Sequence, residues 1–406
     1  MARSSVSSVR ILLIHQNFPG QFRHLAHAWS QRPDCEVIGL GRETAPGMPG
    51  VRWYKYRLHR KPREVQHPYL RQMEDAVLHG QAVARALQAL RRRGFVPDVV
   101  IAHPGWGETL YLREVFPDAR LIHLCEWYYG APGGDVGFDP EFPATEDDHA
   151  RMRTWNALHA LNLTHCDAGV SPTAWQRSRH PAVFQPTIQV IHEGIQTDLL
   201  GPDPSAAFTT PSGTVLKAGD PVITYVARNL EPYRGFHRFM RALEMVQRRH
   251  RNCHAIIVGG DEVSYGKPPP DAPNWREKML QEVRLDPART HFTGKLLHAA
   301  YCKVLQVSAV HVYLTYPFVL SWSLLEAMAS GCLVIGSRTE PVEEVMRDGE
   351  NGVLVDFFDT EALVERVCWG LEKPDSYVGI CDTACGAKLR YGAGEGVLGY
   401  GLLVDI

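Results

Sequence analysis

What this chain lacks narrows it quickly. Its nine cysteines, at positions 35, 125, 166, 253, 302, 332, 368, 381 and 385, are odd in number and include no C-x-x-C pair. That spacing excludes a disulfide framework and a thiolate zinc site, and reads as reduced thiols in a reducing compartment. No apolar run approaches a membrane span, and the one before His15 covers only four residues, too short for the core of a secretory signal. The expected location is therefore the cytoplasm. A net charge of −2 gives the chain no polyelectrolyte character, so no nucleic-acid partner is expected. Neither first strand of an alternating run is followed by G-x-G-x-x-G, which argues against nicotinamide dinucleotide chemistry.

What is there is average soluble composition, with 45% apolar and 22% charged residues over a length of 406 that suits two domains. Short β-branched runs at Ile11–Ile14, Val37–Leu40, Val99–Ala102, Leu121–Leu124, Ala168–Val170 and Gln189–Ile191 read as buried strands. Helical patterns at Gln21–Ser30, Tyr69–Arg93 and His149–Leu163 separate them, which specifies a doubly wound parallel sheet. Residues 201–220, rich in Pro, Gly, Ser and Thr, read as a linker. A second alternating run follows, from Val222 to Gly336. The expected domains are thus residues 1–200, 221–376 and an atypical tail at 377–406. That tail holds seven glycines and no amphipathic period; it is expected to pack poorly and to be dispensable for stability.

Charge is unevenly spread. Residues 51–95 hold eleven Lys/Arg against three Asp/Glu, including Arg60, Lys61, Arg63 and Arg91 to Arg93. Such a run reads either as a solvated face or as a patch for anionic lipid head groups, hence a peripheral membrane contact. The acidic Glu146, Asp147 and Asp148 sit at a helix start, where they favour the dipole.

Chemistry concentrates in the second half. Thr315–Val345 reads as a strand end, a loop, a helix beginning at Ser321–Ser323, a Gly turn, a strand and a second helix start carrying Glu344. A helix N-terminus suits a diphosphate, and Glu326, one turn in, suits a ribose diol. The segment LLEAMASGCLVIGS resembles the family 4 retaining glycosyltransferases, as does VITYVARNLEPYRG, where their phosphate-neutralising Arg and Lys fall on Arg228 and Arg234, followed by Gly235. Guanidinium groups bind phosphate oxygens bidentately and form a clamp that needs no metal. Weaker likenesses place Gly260, Gly294 and, in the first half, Gly20 beside the donor.

The resemblance implies the GT-B fold: two Rossmann-like α/β domains facing a central cleft, acceptor on the N-terminal one and nucleotide sugar on the C-terminal one. It implies donor contacts from Ser321, Ser323, Glu326 and Glu344. His103, and His123, Cys125 or Glu126 at the next strand end, stand where relatives approach the reacting sugar. Phe318 replaces the first Glu of the family's paired-Glu motif, and Val319 and Ser321 replace two glycines.

The activity implied is transfer with retention from a nucleotide-diphosphate sugar to a saccharide or lipid-linked hydroxyl, in surface polysaccharide or glycolipid synthesis. The acceptor proton would leave with the phosphate. No D-x-D motif is present, and no metal or further cofactor is implied. Two rival readings share the cleft: a sugar-nucleotide epimerase, and a silent sugar-nucleotide-binding subunit.

Overall fold

The computed structural model describes residues 8–130 and 133–405. They form two compact units, one of residues 1–194 with 393–406 and the other of residues 195–392.

Unit 1 runs β1 (Val9–Ile14), α1 (Arg23–Ser30), β2 (Cys35–Arg42), β3 (Arg52–Tyr56), α2 (Arg71–Arg92), β4 (Val99–Ala102), α3 (Leu112–Val115), β5 (Arg120–Leu124), α4 (Glu146–His165), β6 (Ala168–Ser171), α5 (Ala174–Ser178) and β7 (Ile188–Val190). Its strands form one parallel sheet in the order β3-β2-β1-β4-β5-β6-β7. Near-continuous apolar strands such as VRILLI and VVIA are what a sheet covered on both faces requires. The expected strands and helices are all present. β3 (RWYKY) escaped the sequence reading because an edge strand is half-exposed and carries cations. Helix α4 starts at a capping box, with Thr145 accepting the Asp148 amide and Asp148 accepting that of Thr145.

Unit 2 begins with the hairpin strands β8 (Ala207–Thr209) and β9 (Val215–Lys217). It continues β10 (Val222–Asn229), α6 (Phe236–Arg249), β11 (His254–Gly260), α7 (Trp275–Glu282), β12 (Thr290–Gly294), α8 (His298–Gln306), β13 (Val310–Tyr313), α9 (Trp322–Ala329), β14 (Leu333–Ser337), α10 (Glu340–Glu343), β15 (Val353–Val355) and α11 (Thr360–Glu372). The six-stranded parallel sheet has the order β12-β11-β10-β13-β14-β15. The supposed linker is corrected: Ala206, Phe208 and Leu216 of the hairpin pack on Ile256, Val258 and Val304 in this unit's core.

The glycine-rich tail is also corrected. It forms α12 (Val378–Cys385), α13 (Ala387–Tyr391) and α14 (Ala393–Val404). Ala384 and Tyr391 join the core of unit 2 around Leu324 and Met328. Helix α14 instead packs on unit 1, where Tyr400, Leu403 and Val404 meet Trp29 and the apolar face of the sheet. Its glycines are a packing requirement, because a Cβ on Gly396 would lie 2.6 Å from the Glu193 carbonyl oxygen. Close backbone approach, plus burial of about 1.5–3 kcal/mol per large apolar side chain, offsets the helix-propensity cost of glycine, about 1 kcal/mol each.

Candidate functional site

In an open parallel sheet the strand order reverses at one point, and the loops leaving the carboxyl ends there diverge to leave a crevice. The reversal falls between β1 and β4 in unit 1 and between β10 and β13 in unit 2. The chemistry-bearing residues collect at these two points.

In unit 1, His15 follows β1, His103 follows β4 and Glu126 follows β5. His103 Nδ1 accepts the Gly105 amide at 3.0 Å, so the ring proton lies on Nε2, which donates to Glu126 Oε2 at 3.0 Å. His15 repeats the device. Its Nδ1 accepts the Asn17 amide at 2.9 Å, and its Nε2 donates to Gln21 Oε1 at 2.6 Å. Gln21 Nε2 in turn donates to Glu126 Oε1 at 3.0 Å. Burial alone would push the Glu126 carboxyl up; the hydrogen bonds from His103 and Gln21 outweigh it and hold it below the ordinary range. Trp106 stacks on His103 with ring centroids 4.3 Å apart. Gly20 has φ +50°, and a Cβ there would lie 2.3 Å from the His15 ring, so this turn demands glycine.

Two expectations at this end need correction. His123 takes no part in the cluster: it is buried inside the sheet, its ring nitrogens have no hydrogen-bond partner, and burial pushes its pKa down to about 3. Cys125 is buried as well, its Sγ turned to the His123 carbonyl. His15 and Gln21 were not singled out from sequence, since a lone His and Gln beside FPG carry no signature of a partner at Glu126.

In unit 2 the two arginines are unlike. Arg228 lies exposed near the end of β10. Arg234 is buried, and its Nη1 donates to Thr315 Oγ1 at 2.8 Å and to the Val319 carbonyl at 2.9 Å. Its guanidinium also lies over the rings of Tyr265 and Phe318, 5.5 and 5.9 Å from their centroids. Arg234 therefore shapes the loop after β13, whatever else it binds. Gly235 has φ +66°, and a Cβ on it would strike the Leu314 side chain at 2.3 Å. Glu231, another residue missed from sequence, is fully buried and accepts the amides of Ser264, Tyr265 and Gly266 at 2.9–3.1 Å. It thereby holds Tyr265 over Arg234.

Gly260 and Gly294 end β11 and β12. At the start of α9, Ser321 caps the helix through the Ser323 amide, and its own amide donates to the Tyr313 hydroxyl at 2.9 Å. Two of the amides expected to meet a diphosphate are thus already engaged. Glu326 is buried in α9, with Oε2 accepting the Tyr301 hydroxyl at 2.7 Å. Glu344 caps the end of α10 and is half-buried. No helix among the described residues is long and apolar enough to cross a membrane.

Comparison with known proteins bears on both units. A family model described as Glycosyl transferase family 4 group matches residues 33–200, and one described as Glycosyl transferases group 1 matches residues 220–373. The GDP-mannose-dependent alpha-(1-6)-phosphatidylinositol monomannoside mannosyltransferase of Mycolicibacterium smegmatis is 26% identical over 213 residues, 48% of this chain and 50% of that protein. The match thus spans about half the length of that curated relative. Sucrose-phosphate synthase from Thermosynechococcus elongatus has a TM-score of 0.72 at 18% identity, over 98% of each chain. Anabaena HepE in complex with UDP and glucose has a TM-score of 0.66 at 15% identity, over 98% of this chain and 100% of that one. These structural likenesses are ones of fold.

Proposed function

Because the chain belongs to the family 4, group 1 glycosyltransferases and has their GT-B fold, we propose that it transfers a sugar from a nucleotide-diphosphate sugar to a saccharide or lipid-linked hydroxyl, with retention and without a metal ion. The observation that carries this reading is the switch point of unit 2, where Arg228 lies exposed near the end of β10 and the loop after β13 leads into α9, which carries the partly engaged carboxylate of Glu326. Arg228, with the buried cation of Arg234 behind it, meets the charge of the departing diphosphate, while the start of α9, with its Ser321 and Ser323 amides engaged, contributes through the helix dipole. Glu326 accepts from the ribose. As the anomeric carbon–phosphate oxygen bond breaks, the acceptor oxygen bonds to that carbon from the same face and its proton passes to the phosphate. The ring lone pairs of His15 and His103 are already taken by backbone amides, so neither serves as base, in keeping with this route. Both rings are spent in holding Glu126, directly or through Gln21, and the Glu126 side chain stays partly exposed. The mycolicibacterial relative, named for a phosphatidylinositol mannoside, favours an acceptor in glycolipid or surface polysaccharide synthesis.

Peripheral membrane contact is a further part of the reading. Lys55, Lys61, Arg63 and Arg91 to Arg93 are exposed, and Val65, 90% exposed, projects among the first of them. Binding to phosphatidylglycerol vesicles that is lost with salt supports it; equal binding to neutral vesicles counts against it.

The test of activity incubates chelator-treated protein with UDP-, GDP- and ADP-sugars and follows donor loss with and without acceptor pools, reading anomeric configuration by NMR. Donor loss that requires acceptor, with retained configuration, is expected. A new nucleotide sugar formed without acceptor identifies an epimerase. Binding with no turnover identifies a silent binder. A strict metal requirement overturns the metal-free clamp.

A further inference from the structure

Helix α8 places His298, Tyr301 and Cys302 one turn apart on a single face. Across from them stands Glu326 of α9, with only 11% of its side chain exposed. The Tyr301 hydroxyl donates to Oε2 at 2.7 Å. His298 Nε2 lies 3.8 Å from Oε1, close enough to act as a counter-charge but too far for a hydrogen bond. Oε1 is thus left with this longer contact, while Oε2 is tightly bound. The side chain on which the donor reading relies is held asymmetrically, one oxygen bound and the other kept for an incoming donor.

We propose that Tyr301 and His298 are positioning residues of the nucleotide site, which aim Glu326 Oε1 at a ribose hydroxyl and so make the site selective for ribonucleotides over deoxyribonucleotides. The inference rests on the donor reading given above for Glu326. An unsupported glutamate carries three side-chain torsions, and ordering them on binding opposes affinity. The phenol removes that cost in advance. It remains a donor at any ordinary pH, because burial and the nearby Glu326 carboxylate both push its pKa well up. Contact with Cys302, and after it the same carboxylate, raises the His298 pKa to about 10, so the ring is an imidazolium beside Oε1 at neutral pH.

A ligand matched to this arrangement offers a hydroxyl to a carboxylate oxygen whose neighbours are already donors. A second anion or a carbonyl at that place would be repelled. The selected ligand class is thus a nucleoside diphosphate with an intact ribose.

The experiment titrates UDP, GDP and ADP calorimetrically, takes the tightest binder, and compares it with its 2′-deoxy form on the parent protein and on Tyr301→Phe, His298→Gln and Glu326→Gln. Tyr301→Phe is expected to weaken the ribonucleotide about tenfold and to leave the deoxy form within about twofold, so the ratio between them collapses. The partly exposed His298→Gln change keeps the test alive should the first variant not fold, and is expected to lower the ratio about threefold. If both nucleotides weaken equally in these two variants, or neither does, the positioning role is overturned even where Glu326→Gln abolishes selectivity. Selectivity that survives Glu326→Gln overturns the ribose reading of Glu326 itself. Failure of all three nucleotides to bind the parent protein overturns the donor site and this inference with it.

Discussion

Two buried or partly buried carboxylates, Glu126 just after β5 in unit 1 and Glu326 on α9 in unit 2, have opposite circumstances. Glu126 has both oxygens engaged, by His103, which the Gly105 amide fixes, and by Gln21, which is held by His15 and through it by the Asn17 amide. Glu326 has one oxygen engaged, by Tyr301. The first is the keystone of a local network, so replacing it disturbs the scaffold. The second is scaffolded by others and keeps capacity for a ligand. A buried acid is read as functional less from its burial than from which of its lone pairs remain unused.

The same asymmetry between the units should show most strongly in acid. Burial depresses His123 and His159 to about 3 and His180 and His192 to about 4, all in unit 1, against His311 at about 3 in unit 2. A histidine with a lowered folded pKa leaves the unfolded chain as the better proton acceptor, so stability falls as pH drops below about 6.5 and continues to fall toward 3–4. The loss is about 2 kcal/mol per such histidine by pH 5. His298 in unit 2 has the opposite sign, since its raised pKa favours the folded form at acid pH. Hydrogen exchange at pH 7 and pH 5 should therefore show unit 1 losing protection first. Equal loss in the two units would remove this contrast.

Next in size is the pair of arginines. Arg234→Ala strips a buried cation from Thr315 and the Val319 carbonyl, and should cost about 2–4 kcal/mol of stability by denaturant titration. Arg228→Ala should leave stability within about 0.5 kcal/mol and weaken nucleoside diphosphate binding by about 1.5–3 kcal/mol, while nucleoside binding stays level. Should both variants behave alike, the buried and exposed roles are misassigned.

The carboxylates can be compared directly. Glu126→Gln should lower stability by about 1–3 kcal/mol, because an amide nitrogen must face donors from His103 or Gln21. Glu326→Gln should cost less than Glu126→Gln, since the amide oxygen still accepts from Tyr301 and the amide nitrogen faces only His298, 3.8 Å from the Oε1 position. A smaller loss for Glu126 than for Glu326 would break the comparison.

Two glycine changes in the tail give a comparison within one segment. Gly396→Ala drives a Cβ into the Glu193 carbonyl and should destabilise unit 1 by about 1–3 kcal/mol. Gly379→Ala in α12 meets nothing within 4 Å and should stabilise by about 0.5–1 kcal/mol. Thermal melts of both variants check the sign.

The parallel-sheet units were legible because buried strands such as VRILLI and VITYVARN carry their periodicity openly. Glu326 and Arg228 were singled out through the short segments that hold them, and their role in the donor site remains part of the proposal. What escaped depends on long-range partners: Gln21 finds Glu126 across 105 positions of chain, and nothing local to either marks the other. The tail escaped for a different reason. Glycine normally argues against a helix, and only the proximity of residues 191–193, which no local pattern announces, turns Gly396 and Gly399 into packing residues.

Helix α14 also bears on the order of assembly. Unit 1 is made of residues 1–194 and 393–406, whereas unit 2 is one continuous stretch. On the ribosome, the first 194 residues emerge with the apolar patch around Trp29 uncovered, and Tyr400, Leu403 and Val404 reach it only after all of unit 2 has been translated. The unit begun first is thus completed last, and until then its exposed surface is a target for chaperones.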